Sequence, residues 1–285
     1  MLDKLFQKFR KDKPTALPGY TALGVIHQGS MSTIFKARHQ DTGRIVAVKV
    51  HKPEARRNVE RLEAHFRDFT EGEITAAFDH PNVVKCLEHG NLGPTPYLVL
   101  EYVEGMTLVG LLGGDGKRLD GKRMAVIRHA AEALSHVHKK RFVHHDVCPK
   151  NLFVTNEDVV KLIDFGLACP LLDRPMRGMR MGTTEILAPE VLRREPCTYK
   201  VDVFAWGVVA YQVLSGHWPF ESPDHHQTLN KILNVHPIAL VRRAPEVPEE
   251  VSNLVMRALH KDPSERLANM TSALSVLRRH GDVAL

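Results

Sequence analysis

A change of pattern near Gly105 constrains this chain more than any other feature. Before it, short apolar runs alternate with turn residues: YTALGVIHQ, STIFKARH, RIVAVKVH, VVKCLEHG and YLVLEYV are broken by GS, DTG and GPTP. Runs of this length and composition bounded by Gly, Pro and Asp read as strands. One long polar and apolar stretch, about 54–78, interrupts them as a helix. After Gly105 a helical period takes over. Residues 122–141 place Ile127, Ala131, Leu134 and Val137 on one face, with Asp120 as the expected N-cap. The run VDVFAWGVVAYQVL is apolar nearly all round, which predicts a helix enclosed by core. Further helices are expected near 226–234, 249–260 and 268–279. The chain is therefore α+β, with its sheet-rich part first.

Composition sets the outer limits. With 285 residues, 43% of them hydrophobic, the chain can fill one large domain or two lobes. No apolar run reaches the roughly 18 residues of a membrane span, and the N-terminus lacks the apolar core of a secretory signal, so a cytoplasmic location is expected. Cys86, Cys148, Cys169 and Cys197 stand far apart without a CxxC pair, which argues against a disulfide framework or a structural zinc site. The net charge of +6 is spread along the chain, so no nucleic-acid role is expected, and acidic or phosphorylated partners are favoured.

Residues 1–19, MLDKLFQKFRKDKPTALPG, stand apart. Leu2, Leu5, Phe6 and Phe9 recur at helical spacing, with Lys4, Lys8, Arg10, Lys11 and Lys13 on or beyond the other face. Residues 1–13 thus suit a short basic amphipathic helix in peripheral contact with an anionic membrane or a partner. The competing reading is a helix packed on the main domain or a frayed tail, since so short a helix is marginal alone. Pro14, Pro18 and Gly19 mark the boundary.

Chemistry concentrates in two segments, HHDVCPKN and IDFGLA. Asp146, Asn151 and Asp164 fall where the strand-like runs LFV and VVKLI meet turns. Hard Mg²⁺ prefers such oxygen ligands and shares its shell with phosphate and water, so few protein ligands suffice for a Mg²⁺-nucleotide site.

Read in order, GVIHQGSMSTIFKA, VAVK, HPNVV, LVLEYVEG, HHDVCPKNLFV, IDFGLA, GTTEILAPE, VDVFAWGVV and DPSERL resemble the full series of protein-kinase signatures, over about residues 20–280. The domain looks most like bacterial Ser/Thr kinases of the eukaryotic type. The resemblance implies a bilobal protein-kinase-like fold: a small β-rich N-lobe with one long helix at 20–102, a larger helical C-lobe at 103–280, and a tail at 281–285. It also implies ATP and Mg²⁺ as cofactors and a protein as substrate.

Roles carried over by the resemblance are these. Lys49 is similar to the lysine that holds the α- and β-phosphates, with Glu71 as its partner and Glu73 as the other choice. Asp146 resembles the catalytic aspartate at the substrate hydroxyl, Asn151 the amide that holds a second Mg²⁺, and Asp164 the principal metal ligand. For the nucleotide, Gly29 belongs to the phosphate-covering loop and Ile26, Ile34 and Ala47 to the roof over adenine. Phe153 is the floor, Leu100 the back wall, and the main chains of Glu101 and Val103 bond the base. Glu190 and Arg266 resemble the ion pair that ties down the activation segment, and Asp202 the aspartate that braces the catalytic loop.

Four departures from the pattern stand out. His27 and Ser32 replace two of the three loop glycines, leaving Gly29. Cys148 replaces the lysine two residues past the catalytic aspartate, and Lys150 is placed to supply the missing charge. His145 replaces the arginine that in many kinases grips a phosphorylated loop, and 167–182 contains no Ser, Thr or Tyr. Together these predict activity without prior phosphorylation in that stretch; Thr183 and Thr184 lie beyond it. Finally, Ile186 stands where an aromatic residue often walls the substrate pocket, and Arg174, Arg177 and Arg180 favour acidic sequence around the target hydroxyl. The alternatives to an active protein kinase are a nucleotide-binding pseudokinase or scaffold, suggested by His27, Ser32 and Cys148, and a small-molecule kinase.

Overall fold

The computed structural model describes residues 17–52, 69–114, 117–171, 176–177, 183–281, 283 and 285. The amphipathic segment 1–13 lies outside them, as do Arg174 and Arg180. Two compact units are formed: the described residues up to Ala76 with Lys85–Val103, and Ala77–Val84 with the chain from Glu104 onward.

The first unit is a five-stranded antiparallel sheet of β1 (Tyr20–Gln28), β2 (Ser32–His39), β3 (Ile45–His51), β4 (Cys86–Leu92) and β5 (Thr95–Glu101), in the order β1-β2-β3-β5-β4. Side chains alternate across a strand, and residues paired across strands share a face. One face therefore carries Ala37, Val46, Val48 and Val99, which pack with Leu17 into a buried core. The other carries Ile34, Lys49 and Leu98, aligned across β2, β3 and β5, with Ala47 opposite Leu100 in the next row.

Of the helix expected over 54–78, only the last part is described. Phe69 and Thr70 are not helical, and α1 (Glu71–Ala76) follows them. Thr70 and Glu73 form a reciprocal capping box: the Thr70 N–H donates to Glu73 Oε2 at 2.7 Å, and the Glu73 N–H donates to Thr70 Oγ1 at 3.3 Å. Gly72 lets the helix lie close to β4, because a Cβ there would stand 2.6 Å from that of His89.

In the second unit, β6 (Gly105–Thr107) leads into α2 (Leu108–Leu112) and then α3 (Arg123–Lys139). Gly105 has φ +151°, and a Cβ there would stand 2.1 Å from Val154 O, so only glycine fits. The expected N-cap of α3 is not formed. Gly121, in a left-handed turn, intervenes, and Asp120 instead accepts from Arg123 Nη2 at 3.2 Å. Ile127, Ala131, Leu134 and Val137 are all buried, as the helical period requires.

After β7 (Phe142–Val143) come β8 (Leu152–Thr155) and β9 (Val160–Leu162), which join β6 in a three-stranded sheet. β10 (Cys169–Pro170) pairs with β7, and β11 (Met176–Arg177) pairs with β12 (Pro196–Cys197), which follows α4 (Pro189–Arg193). Next is α5 (Lys200–Ser215), buried along nearly its whole length. The Trp206 indole on α5 donates to Ile127 O at 3.0 Å, and Arg123 Nη1 donates to Val213 O at 2.6 Å, so α3 and α5 are joined by polar contacts as well as packing. The chain continues through α6 (His225–Asn234), α7 (Leu240–Arg243), α8 (Glu249–Ala258) and α9 (Met270–Arg279). No described helix is long and apolar enough to cross a membrane.

Candidate active site

Residues 144–151 connect β7 to β8, and their shape is set from α5. Asp202, fully buried in the first turn of α5, accepts the backbone N–H groups of His144 at 2.8 Å and His145 at 2.9 Å. His145 has φ +66°, in the left-handed region that a bulky side chain rarely occupies, and two successive amides thereby converge on one carboxylate. The His138 imidazole, from α3, lies 2.9 Å from the same carboxylate. Burial alone would raise the Asp202 pKa, but the His138 hydrogen bond and the surrounding imidazoles bring it down to about 2. Burial pushes the pKa values of His144 and His145 down, so both favour the neutral form.

This braced loop presents Asp146. His144 Nδ1 accepts the Asp146 backbone N–H at 3.2 Å. The Asp146 carboxylate is held on both sides: Oδ1 accepts from the Thr183 N–H at 3.1 Å and Oδ2 from Asn151 Nδ2 at 2.8 Å. Asn151 Nδ2 also donates to Asp146 O at 2.9 Å, which fixes the amide and leaves its oxygen as the end available to a ligand. Asp164 follows β9 at φ +65° and accepts from the Gly166 N–H at 3.3 Å. Phe165 anchors that turn, with its ring 4.8 Å from those of both Phe78 and His144. Asn151 and Asp164 together offer an amide oxygen and a carboxylate, the hard donors that suit Mg²⁺, and no cluster of His and Cys competes for a softer metal among the described residues.

Cys148 is buried, and desolvation raises its thiol pKa further than its hydrogen bond with Thr183 lowers it, so the group is a neutral thiol. Lys150 is exposed, and its side chain makes no hydrogen bond or ion pair among the described residues. Ile186, at the position where an aromatic residue is usual, is 1% exposed and packs inward.

In the first unit, Lys49 Nζ donates to Glu71 Oε1 at 2.6 Å. Glu73 is taken up by Thr70, whose hydrogen bonds hold its carboxyl below the ordinary range. The signal that separates the two glutamates was present in the sequence as Thr70-x-x-Glu73, the spacing of a capping box. Gly29 lies in the β1–β2 turn, where its N–H donates to Ser32 O at 3.0 Å and Lys52 Nζ donates to its carbonyl at 2.5 Å. Ile26 sits at a bulge of β1 and is 49% exposed. Ile34 and Ala47 lie on the Lys49 face of the sheet. The Glu101 N–H is committed to Lys85 O at 2.9 Å, and Val103 ends this unit. Phe153, on β8 of the second unit, lies half-buried opposite Thr107 and Lys161.

Below the loop, Glu190 and Arg266 form a bidentate pair, Oε1 with Nη1 at 2.6 Å and Oε2 with Nη2 at 2.7 Å. The guanidinium also donates to the carbonyls of His260, Lys200 and Lys261, so all five of its N–H groups are used.

Residues 20–277 match the protein kinase domain. The chain is 29% identical to the serine/threonine-protein kinase PrkC of Bacillus subtilis over 87% of its length and 38% of the relative's. Against PknB of Mycolicibacterium smegmatis the figures are 32%, 84% and 39%, and against drp72 of Corynebacterium efficiens 31%, 92% and 51%. The chain thus spans from 38% to 51% of the length of these relatives. It belongs to the protein kinase domain family.

Proposed function

We propose that this chain is an ATP-dependent protein kinase that transfers the γ-phosphoryl of Mg-ATP to serine or threonine hydroxyls and does not need a phosphorylated activation loop. The observation that carries the reading is the two-sided clamp on Asp146, which leaves the carboxylate oriented as a base while Asn151 turns its oxygen outward. Relatives named as serine/threonine-protein kinases support the same chemistry.

In this reading Asp146 orients the substrate hydroxyl and accepts its proton as the bond to phosphorus forms. Asn151 and Asp164 would hold Mg²⁺, and Lys49, aimed by Glu71, would grip the nucleotide phosphates. Bound Mg-ATP supplies the phosphoryl group and neutralises the charge that develops on it. Ile26, Ile34, Ala47, Leu100 and Phe153 would enclose adenine, with the main chains of Glu101 and Val103 bonding its edge and Gly29 over the phosphates. Lys150 replaces the charge that Cys148 lacks. Thr183 favours Ser/Thr over Tyr, and Arg174, Arg177 and Arg180 favour acidic sequence around the target.

Independence from loop phosphorylation rests on His145. Its imidazole is neutral and its backbone is tied to Asp202, so it offers no cation to a phosphate. Incubation with labelled ATP and a generic basic protein, beside Asp146→Ala, tests the activity; equal labelling by both proteins would overturn it. Phosphatase treatment of the wild type should leave the rate unchanged, and loss of activity would refute the loop argument.

One observation favours a second reading, a nucleotide-binding scaffold. The buried neutral Cys148 removes a charge from the phosphoryl site, and that reading wins if Mg²⁺-dependent ATP binding is found without Asp146-dependent transfer.

A further inference from the structure

The turn between β1 and β2 is closed unevenly. Gln28 and Thr33 are the last pair of the ladder, and beyond them Gly29 faces Ser32 across a two-residue tip, Ser30 and Met31. Two residues facing each other in this way usually exchange two backbone hydrogen bonds. Here one is made, from the Gly29 N–H to Ser32 O at 3.0 Å, and among the described residues the return bond from the Ser32 N–H to Gly29 O is not formed. The Gly29 carbonyl is taken by a side chain: Lys52 Nζ donates to it at 2.5 Å. Lys52 stands one residue past β3, and its own N–H donates to Met31 O at 2.9 Å, which carries the β2–β3 ladder one step beyond the Ser32–His51 pair. A single residue therefore holds the tip at two points. The Lys52 ammonium makes no ion pair and no other hydrogen bond among the described residues, so its side chain is committed to the turn. The His27 imidazole leans on the same glycine: a Cβ on Gly29 would stand 3.3 Å from His27 Nε2.

We propose that Lys52 is a positioning residue for the nucleotide: its ammonium and its backbone N–H clasp the β1–β2 tip so that Gly29 stays over the phosphates. The proposal rests on the nucleotide reading above. A glycine-rich loop moulds itself to phosphate through the freedom of its backbone. With His27 and Ser32 where two glycines are usual, this loop has less of that freedom and gains by being held in shape beforehand. A charged donor grips the Gly29 carbonyl more firmly than the missing amide bond would. Lys52 also follows the strand that carries Lys49, so β3 sets both the loop and the lysine of the phosphate site.

The test is calorimetric binding of Mg-ATP and of adenosine to the full chain, wild type against Lys52→Met and Lys52→Arg. Loss of a hydrogen bond from a charged group predicts that Lys52→Met weakens Mg-ATP binding about five- to tenfold and leaves adenosine, which carries no phosphate, within about twofold of wild type. Lys52→Arg, whose guanidinium can donate to the same carbonyl, should stay within about threefold for both ligands. Equal weakening of Mg-ATP and adenosine by Lys52→Met, no weakening of either, or an Arg variant no better than Met would overturn the proposal.

NMR of the nucleotide-free wild type, labelled with nitrogen-15 in lysine and carbon-13 in the glycine carbonyl, gives a second arm that needs no folded variant. A scalar coupling between the Lys52 ammonium nitrogen and the Gly29 carbonyl carbon is expected. An ammonium that shows no coupling, or exchanges too fast to be seen, would refute the clasp. If Mg-ATP binds and no protein is phosphorylated, the kinase reading fails alone, because the contrast between Mg-ATP and adenosine still reports the effect of Lys52. If the wild type binds no Mg-ATP, both fall.

Discussion

Lys49 with Glu71 and Arg266 with Glu190 are both pairs of a buried cation and a carboxylate, yet they are built differently. Arg266 is fully enclosed, grips both oxygens of Glu190 and uses its remaining N–H groups on three backbone carbonyls. Lys49 donates to Glu71 Oε1 from the face of the sheet opposite the apolar core. A planar fork with every donor used acts as a permanent joint, whereas an ammonium is a point charge that can be redirected to a ligand. Under the proposed function, the difference separates a pair kept for architecture from a pair kept for work.

The largest effect expected from breaking this contrast is on stability. Arg266→Met leaves Glu190 buried without its partner and should cost about 3–5 kcal/mol in urea unfolding. Lys49→Met should lower phosphotransfer on the order of 10² to 10³ while costing less than about 2 kcal/mol of stability. If Lys49→Met destabilises as much as Arg266→Met, the two pairs are not different in kind. A smaller effect is expected from Lys150→Ala, about tenfold in kcat with no change in unfolding, because the side chain is exposed. Normal turnover in that variant would remove Lys150 from the machinery.

The gentlest perturbation is pH. Burial lowers the pKa values of His129 and His136 on α3, and of His144 and His145 in the loop 144–151. The unfolded chain therefore binds more protons than the folded one below the ordinary histidine range. Stability is full above about pH 6.5 and declines as pH falls. Asp202, at about 2 in the folded state, adds a second loss between roughly pH 4 and 2. Thermal unfolding followed from pH 8 to 5 should give a falling midpoint. A flat profile would show that these rings are charged in the fold.

Much of this was legible in the chain. The strands on either side of Lys49 follow from alternation, and α5 follows from a run with no polar face. The pairing of Arg266 with Glu190 came from the resemblance and holds in the structure. Other points turned on local competition that periodicity does not report. Asp120 failed as an N-cap because Gly121 inserted a turn, and Glu73 was claimed by Thr70 before it could meet Lys49. The depth of Cys148 and Ile186 depends on contacts between segments distant in sequence, which no local window contains.

The carboxylate of Asp202 has a kinetic consequence. It holds the amides of His144 and His145, which lie in a loop but are bonded to the first turn of the most buried helix. Their protons should exchange with solvent as slowly as those of α5 itself, by global opening and not by loop fluctuation. Heating should then abolish catalysis only where the helical unit melts, with no earlier temperature at which the loop alone has lost its shape.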